Sequence, residues 1–181
     1  MCGSLIIIEN SHYYNRLLFV HPSGGIQFYD KRHLFTMGHE ENHFTGGSSR
    51  LVVEYKGWKI CPLICYDLRF PVWSRNRGEY DILTYSANWP QARTEVWNTL
   101  LKARAIENQA YVVGANRVGV DGNTISYSGN SQIIDPKGNL LASIGDHHKG
   151  IVLATFSYTE LAKFRSAFPV LKDADRFSID L

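Results

Sequence analysis

The chain has 181 residues, 44% of them hydrophobic and 20% charged, with a formal net charge of +2. That is the make-up of an ordinary globular domain, long enough to bury roughly two-thirds of its unfolded surface. It carries no basic block to suggest nucleic acid, no apolar run long enough to span a bilayer, and no signal-peptide pattern at its N-terminus.

In chain order, SLIII (4–8) reads as a buried strand starting almost at the first residue. RLLFV (16–20) and IQFYD (26–30) flank HPSGG, which predicts a hairpin. Lys31 follows in YDKRHLF, and pattern alone makes it a surface lysine. The polar, glycine-dotted stretch 36–49 reads as a loop. Within it, HEENH (39–43) has the spacing of a zinc-protease HExxH motif. That motif works on a helix, where residues i and i+4 share one face. Here the middle positions are Glu41 and Asn42, glycines bracket the segment, and no third ligand is evident, so a solvated loop without metal is expected.

LVVEY and WKICPLIC predict two strands around Lys56-Gly57. A short helix follows near Pro71, and DILTYSA (81–87) is another strand. Residues 93–109 have Trp97, Leu100, Leu101 and Ala105 at helical spacing, with Arg104 and Glu107 placed for an intrahelical ion pair. YVVGA (111–115) reads as a strand, QIIDPKGNLLASI as a hairpin and GIVLATF as a further strand. Ser157 with Glu160 forms a capping box opening a helix over about 158–167. The alternation of strands and helices predicts an α/β fold with a mixed sheet.

The three cysteines, Cys2, Cys61 and Cys65, are too few for a disulfide scaffold and point to a reducing, cytoplasmic compartment. Cys61 and Cys65 share one strand and stand about 13 Å apart at Cα, too far to bridge. Cys65 ends that strand and is followed at once by polar YDLRFP. A strand end is where a side chain leaves the core and meets a cleft, although most free cysteines are buried and inert. A nucleophilic cysteine needs a nearby cation and an oxyanion donor, and pattern alone does not bring Lys31 to it. Asp67 and Arg69 are expected to pair and fix the turn. Trp89, in SANWP, is a candidate pocket wall, while Asn116 and Arg117 end a strand that would approach the same cleft.

YDKRHLF, Glu40, LICYDLRFP, SANWP and KARAIENQAYVVGANRVG, taken together and in this order, resemble the nitrilase superfamily of carbon–nitrogen hydrolases, closest to its ω-amidase-like branch. The likeness runs from GSLII to FPVLKDADRF. It implies an α-β-β-α sandwich that pairs into a homodimer and hydrolyses a small carboxamide, such as the ω-amide of a dicarboxylic or 2-oxo acid, without a cofactor. By resemblance, Cys65 attacks the amide carbonyl to give a thioester and ammonia, and water then releases the acid. Lys31 and the backbone N–H of Tyr66 hold the oxyanion, and the lysine's charge favours the thiolate. Glu40 is the second glutamate, which positions the catalytic groups, with Glu41 the alternative one residue away.

The family also carries a general-base glutamate near the end of an early strand, in a segment preceding GSLII. These 181 residues hold no counterpart, since Glu9 stands after SLIII. The expectation is therefore an N-terminally incomplete domain over residues 1–181, lacking that strand, a helix and the glutamate. A missing general acid–base group costs ~10²–10⁴ in rate, so little amidase activity is expected of the chain alone. The rival reading is a non-catalytic remnant acting through association.

Overall fold

Strands that alternate in side-chain direction give this protein two packed sheets, described by a computed structural model over residues 1–179. The first sheet is antiparallel, in the order β1 (Cys2–Glu9), β2 (His12–Val20) and β3 (Ile26–Asp30). The second contains β4 (Val53–Tyr55), β5 (Trp58–Ile64), β6 (Ile82–Ala87), β7 (Tyr111–Asn116), β10 (Gln132–Ile134) and β11 (Leu140–Ser143), in the order β11-β10-β7-β6-β5-β4. A ribbon of β8 (Val118–Val120) and β9 (Ser126–Ser128) lies between β7 and β10 in the chain. Among the described residues, three α-helices accompany them: α1 (Pro71–Ser74), α2 (Thr94–Asn108) and α3 (Tyr158–Ala167). No helix among the described residues is long and apolar enough to cross a membrane.

The centre of the larger sheet, β5-β6-β7, is parallel, and its flanking strands are antiparallel. Antiparallel neighbours close through tight turns. Between β4 and β5, Lys56 and Gly57 both take positive φ, 51° and 80°, which suits the right-handed twist of a two-residue hairpin. Parallel neighbours need crossovers, and α2 supplies the one from β6 to β7.

Successive residues of a strand face opposite sides. Leu63, Leu83, Tyr85 and Val112 thus join Trp97, Leu101 and Ala105 of α2 in the main core, together with Leu17 and Tyr29 from the smaller sheet. Ile82 and Tyr111 turn the other way, onto Leu161 of α3. The Ser157 side chain accepts from the Glu160 N–H at 3.2 Å, opening α3 where the capping pattern placed it.

Two expectations need correcting. SLIII does form a strand, but it is not buried: Leu5, Ile6 and Ile8 are 58%, 69% and 61% exposed. β1 lies at the edge of its sheet and pairs only with β2. GIVLATF is not a strand; 150–157 makes no sheet ladder, and Ile151 and Leu153 stand exposed. Alternating apolar residues become a strand only when a neighbour supplies the hydrogen-bond ladder, and none does so among the described residues.

Gly47 ties the end of β3 to the segment 43–47. Its N–H donates to the Lys31 carbonyl at 2.9 Å, and a Cβ here would stand 2.1 Å from the Asp30 carbonyl oxygen. Backbone cannot swing aside as a side-chain tip can. Gly47→Ala is expected to destabilise the protein by about 1–3 kcal/mol in urea unfolding, as overpacking does; an unchanged midpoint would show that the two segments separate freely.

Candidate active site

Parallel strands end together, and here three of them end at one cleft. Ile64 of β5 pairs with Ser86 of β6, and Ala87 of β6 with Asn116 of β7. The residues that follow, Cys65, Asn88–Trp89 and Arg117, therefore sit side by side at the carboxyl edge of the sheet, where open α/β sheets bind ligands. They line a cavity of about 860 Å³. Lys31, from the end of β3 in the other sheet, lines it too, as do Glu40, Tyr66, Phe35 and Met37. Five of the residues singled out in the sequence, Cys65, Lys31, Glu40, Tyr66 and Trp89, thus line one cavity.

Lys31 is not a surface residue. It is only 2% exposed, and its ammonium donates to Glu40 Oε2 at 2.5 Å. The same oxygen accepts from the Phe35 N–H at 2.8 Å. Its backbone is gripped on both sides, the N–H donating to the Asn15 carbonyl and the carbonyl accepting from Gly47. Glu40, not Glu41, therefore faces the lysine. The HEENH segment holds a single 3-10 turn, Glu40–Asn42, joined to a preceding one, Thr36–Gly38, at His39, whose φ is 56°. The continuous helix that a zinc motif requires is not formed.

Cys65 leaves β5 on a positive φ of 42°, unusual for a residue with a Cβ, and opens a 3-10 turn over Cys65–Arg69. Its Sγ stands 3.8 Å from the Asn88 carbonyl oxygen. Burial pushes the thiol pKa above its ordinary value. Lys31 pulls it back, while Glu40 and Asp67 push it further up. The lysine thus acts in the expected direction, but desolvation outweighs it.

Asp67 is completely buried. It does not pair with Arg69; its carboxylate accepts from Tyr29 Oη at 2.7 Å, from the His33 N–H at 3.1 Å, from the Ile64 N–H at 3.0 Å, and bonds His33 Nδ1 at 2.8 Å. His33 stacks on Phe70, with ring centroids 3.7 Å apart. Arg104 does pair with Glu107, at 2.9 Å, and also donates to the Leu68 carbonyl at 2.6 Å, so that α2 holds the turn after Cys65.

Trp89 is 3% exposed and donates from Nε1 to the Arg93 carbonyl. Asn116 fixes the backbone beside it, accepting from the Trp89 N–H at 2.7 Å and donating to the Trp89 and Gly129 carbonyls. Sequence reading gave Asn116 little weight; its position at the end of a strand parallel to β6 is the signal that marks it. Glu9 takes no part in the cavity and is held by Arg16 at 2.9 Å.

The profile of the carbon-nitrogen hydrolase family matches residues 2–166. The chain is 49% identical to the ω-amidase YafV of Escherichia coli over 179 residues, which cover 99% of this chain and 70% of that protein. It is 39% identical to the 2-oxoglutaramate amidase of Bacillus subtilis over 96% of this chain and 67% of the relative. Among solved structures, a CN-hydrolase superfamily protein from Xanthomonas campestris, with an arsenic adduct in its active site, superposes with a TM-score of 0.96 at 45% identity, covering 99% of this chain and 70% of that one. The fold and these matches define a nitrilase-superfamily hydrolase. This chain belongs to the carbon-nitrogen hydrolase family.

Asp67→Ala removes the shared partner of four groups at once, Tyr29 Oη and the Ile64 N–H in the buried interior and the His33 N–H and ring beside them. It is expected to lower stability by about 3–5 kcal/mol in denaturant titration, and a loss below 1 kcal/mol would mean that the donors find other acceptors. The raised thiol pKa predicts that alkylation of Cys65 by iodoacetamide climbs with pH to a midpoint above that of an ordinary thiol. Lys31→Met should move the midpoint further up and Glu40→Gln should move it down. Shifts of the opposite sign would contradict the charge assignment.

Proposed function

We propose that this protein hydrolyses the ω-amide of a small dicarboxylic or 2-oxo acid to the acid and ammonia, through a thioester on Cys65. The observation that carries this reading is the convergence of Lys31 and Cys65, distant in sequence and borne by different sheets, on one cavity. The activities named for the Escherichia coli and Bacillus subtilis relatives support the substrate class.

Cys65 Sγ attacks the amide carbon as the S–H proton passes toward the leaving nitrogen. The carbonyl oxygen becomes an oxyanion, which the Lys31 ammonium and the Tyr66 N–H stabilise. A buried cation already oriented by Glu40 needs no reorganisation when that charge appears. The C–N bond breaks and ammonia leaves. Water then adds to the thioester, the C–S bond breaks, and the acid departs with the thiol restored. Glu40 positions Lys31, and Trp89 walls the pocket against the acyl chain. We read residues 1–181 as one carbon–nitrogen hydrolase domain acting as a homodimer in the cytoplasm.

The test is internal to the chain, so it does not rest on an absolute rate. Glutaramate is incubated with the protein and with Cys65→Ser, ammonia is quantified, and the intact mass of rapidly quenched samples is measured. Ammonia release with an acyl adduct at Cys65, both lost in the variant, is expected; release by Cys65→Ser at the unsubstituted rate would refute the reading.

A further inference from the structure

The cavity at Cys65 has a neutral polar side, supplied largely by the smaller sheet. Lys31 follows β3, and its N–H donates to the Asn15 carbonyl at 2.9 Å, one step beyond the Arg16–Asp30 pair of the β2–β3 ladder. Residues directly opposed in a sheet share a face. Asn15 and Lys31 therefore stand side by side on the face that turns Leu17 and Tyr29 into the core. In the β1–β2 ladder Ser4 pairs with Leu17 and Ile6 with Asn15, which puts Ser4 on that face too, diagonal to Asn15. Ser86, near the end of β6, approaches from the other sheet. Ser4, Asn15 and Ser86 all line the cavity.

The fold consumes its interior amides elsewhere. Asn76 donates to the Tyr80 and Asn108 carbonyls, Asn108 to the Arg104 carbonyl, and Asn116 to the Trp89 and Gly129 carbonyls. Among the described residues, the side chains of Ser4, Asn15 and Ser86 have no protein hydrogen-bond partner. Polar groups that line a cavity without such partners suit a held water, which takes roughly two to four of them. Thioester hydrolysis needs a water at this place. Glu40 is the only carboxylate among the described lining residues, and its Oε2 already accepts from the Lys31 ammonium and the Phe35 N–H.

We propose that Asn15, with Ser4 and Ser86, holds the water that hydrolyses the thioester, a role that rests on the reading of Cys65 as the reacting group. Asn15 Oδ1 accepts a hydrogen bond from this water and so turns its lone pair toward the thioester carbon, whose oxygen is held by the neighbouring Lys31. The water oxygen bonds to that carbon, the C–S bond breaks, and one water proton passes to Sγ, leaving the acid and the thiol. Asn15 takes no proton at any point. Its contribution is orientation, and it belongs to the second half of the reaction.

The experiment separates the two halves with p-nitrophenyl acetate, an activated ester that acylates a thiol readily. The burst of nitrophenolate reports acylation, the steady rate reports deacylation, and the intact mass of quenched samples counts the acetyl group on Cys65. In Asn15→Leu, deacylation is expected to slow about tenfold or more, with the burst rate hardly changed and the acetylated form accumulating. Ser4→Ala, on an exposed strand, should slow the same step about threefold. It keeps the test open should circular dichroism show that Asn15→Leu fails to fold. Added hydroxylamine, a nucleophile strong enough to need no such orientation, should release the acetyl group equally fast from the variants and the unsubstituted protein.

Deacylation unchanged in the folded variants would overturn the water site. An equal loss in both halves would also overturn it, because the carboxamide would then be serving the oxyanion. Failure of the unsubstituted protein to acetylate Cys65 would instead sink the reading of Cys65 itself, and the water site with it.

Discussion

The carboxylate of Asp67 holds both halves of the site. It sits two residues after Cys65 and bonds the backbone just before it, at Ile64. It also bonds His33, two residues after Lys31, through both backbone and ring. Tyr29, near the end of β3, donates to it and in turn accepts from the Arg32 N–H and Trp73 Nε1. A fully buried carboxylate is tolerated only when its lone pairs are filled, and here the donors that fill them come from two sheets. The price of burying one charge is thereby converted into a fixed separation between two reacting segments.

Around this anchor the site is arranged for charge that has yet to form. Burial holds the Cys65 thiol above its ordinary pKa, and Lys31 only partly opposes it. The lysine, 2% exposed, is itself sustained by Glu40. An ion pair with a buried lysine is net neutral until a new negative charge appears beside the ammonium, and a preoriented donor is worth most at that moment.

Much of the fold was legible in local pattern. The hairpins around HPSGG, Lys56-Gly57 and Pro136-Lys137-Gly138, the apolar face of α2 and the Ser157 cap all form where periodicity and turn chemistry place them, because each depends on residues close in sequence. What failed depended on distant neighbours. SLIII and GIVLATF have the composition of buried strands, but burial and ladder hydrogen bonds come from whatever lies alongside. The Asp67–Arg69 pair was proposed from nearness in the chain, whereas the turn after Cys65 points the carboxylate inward and leaves the guanidinium over Trp89. Lys31 read as a surface residue for the same reason: nothing local reveals that β3 ends against the other sheet. The set of motifs named the family, and only the folded chain shows that Asn116 braces Trp89.

The left-handed backbone of Cys65 has a consequence for how such a protein can drift. A side chain with a Cβ is strained there by roughly 1–2 kcal/mol, and glycine would be relieved of it. The sulfur lines the cavity beside the Asn88 carbonyl from a main chain that accepts that discomfort. Selection for thermal robustness alone would therefore favour erasing the thiol, and a lineage freed from its reaction would tend to lose this residue early while keeping the surrounding scaffold intact.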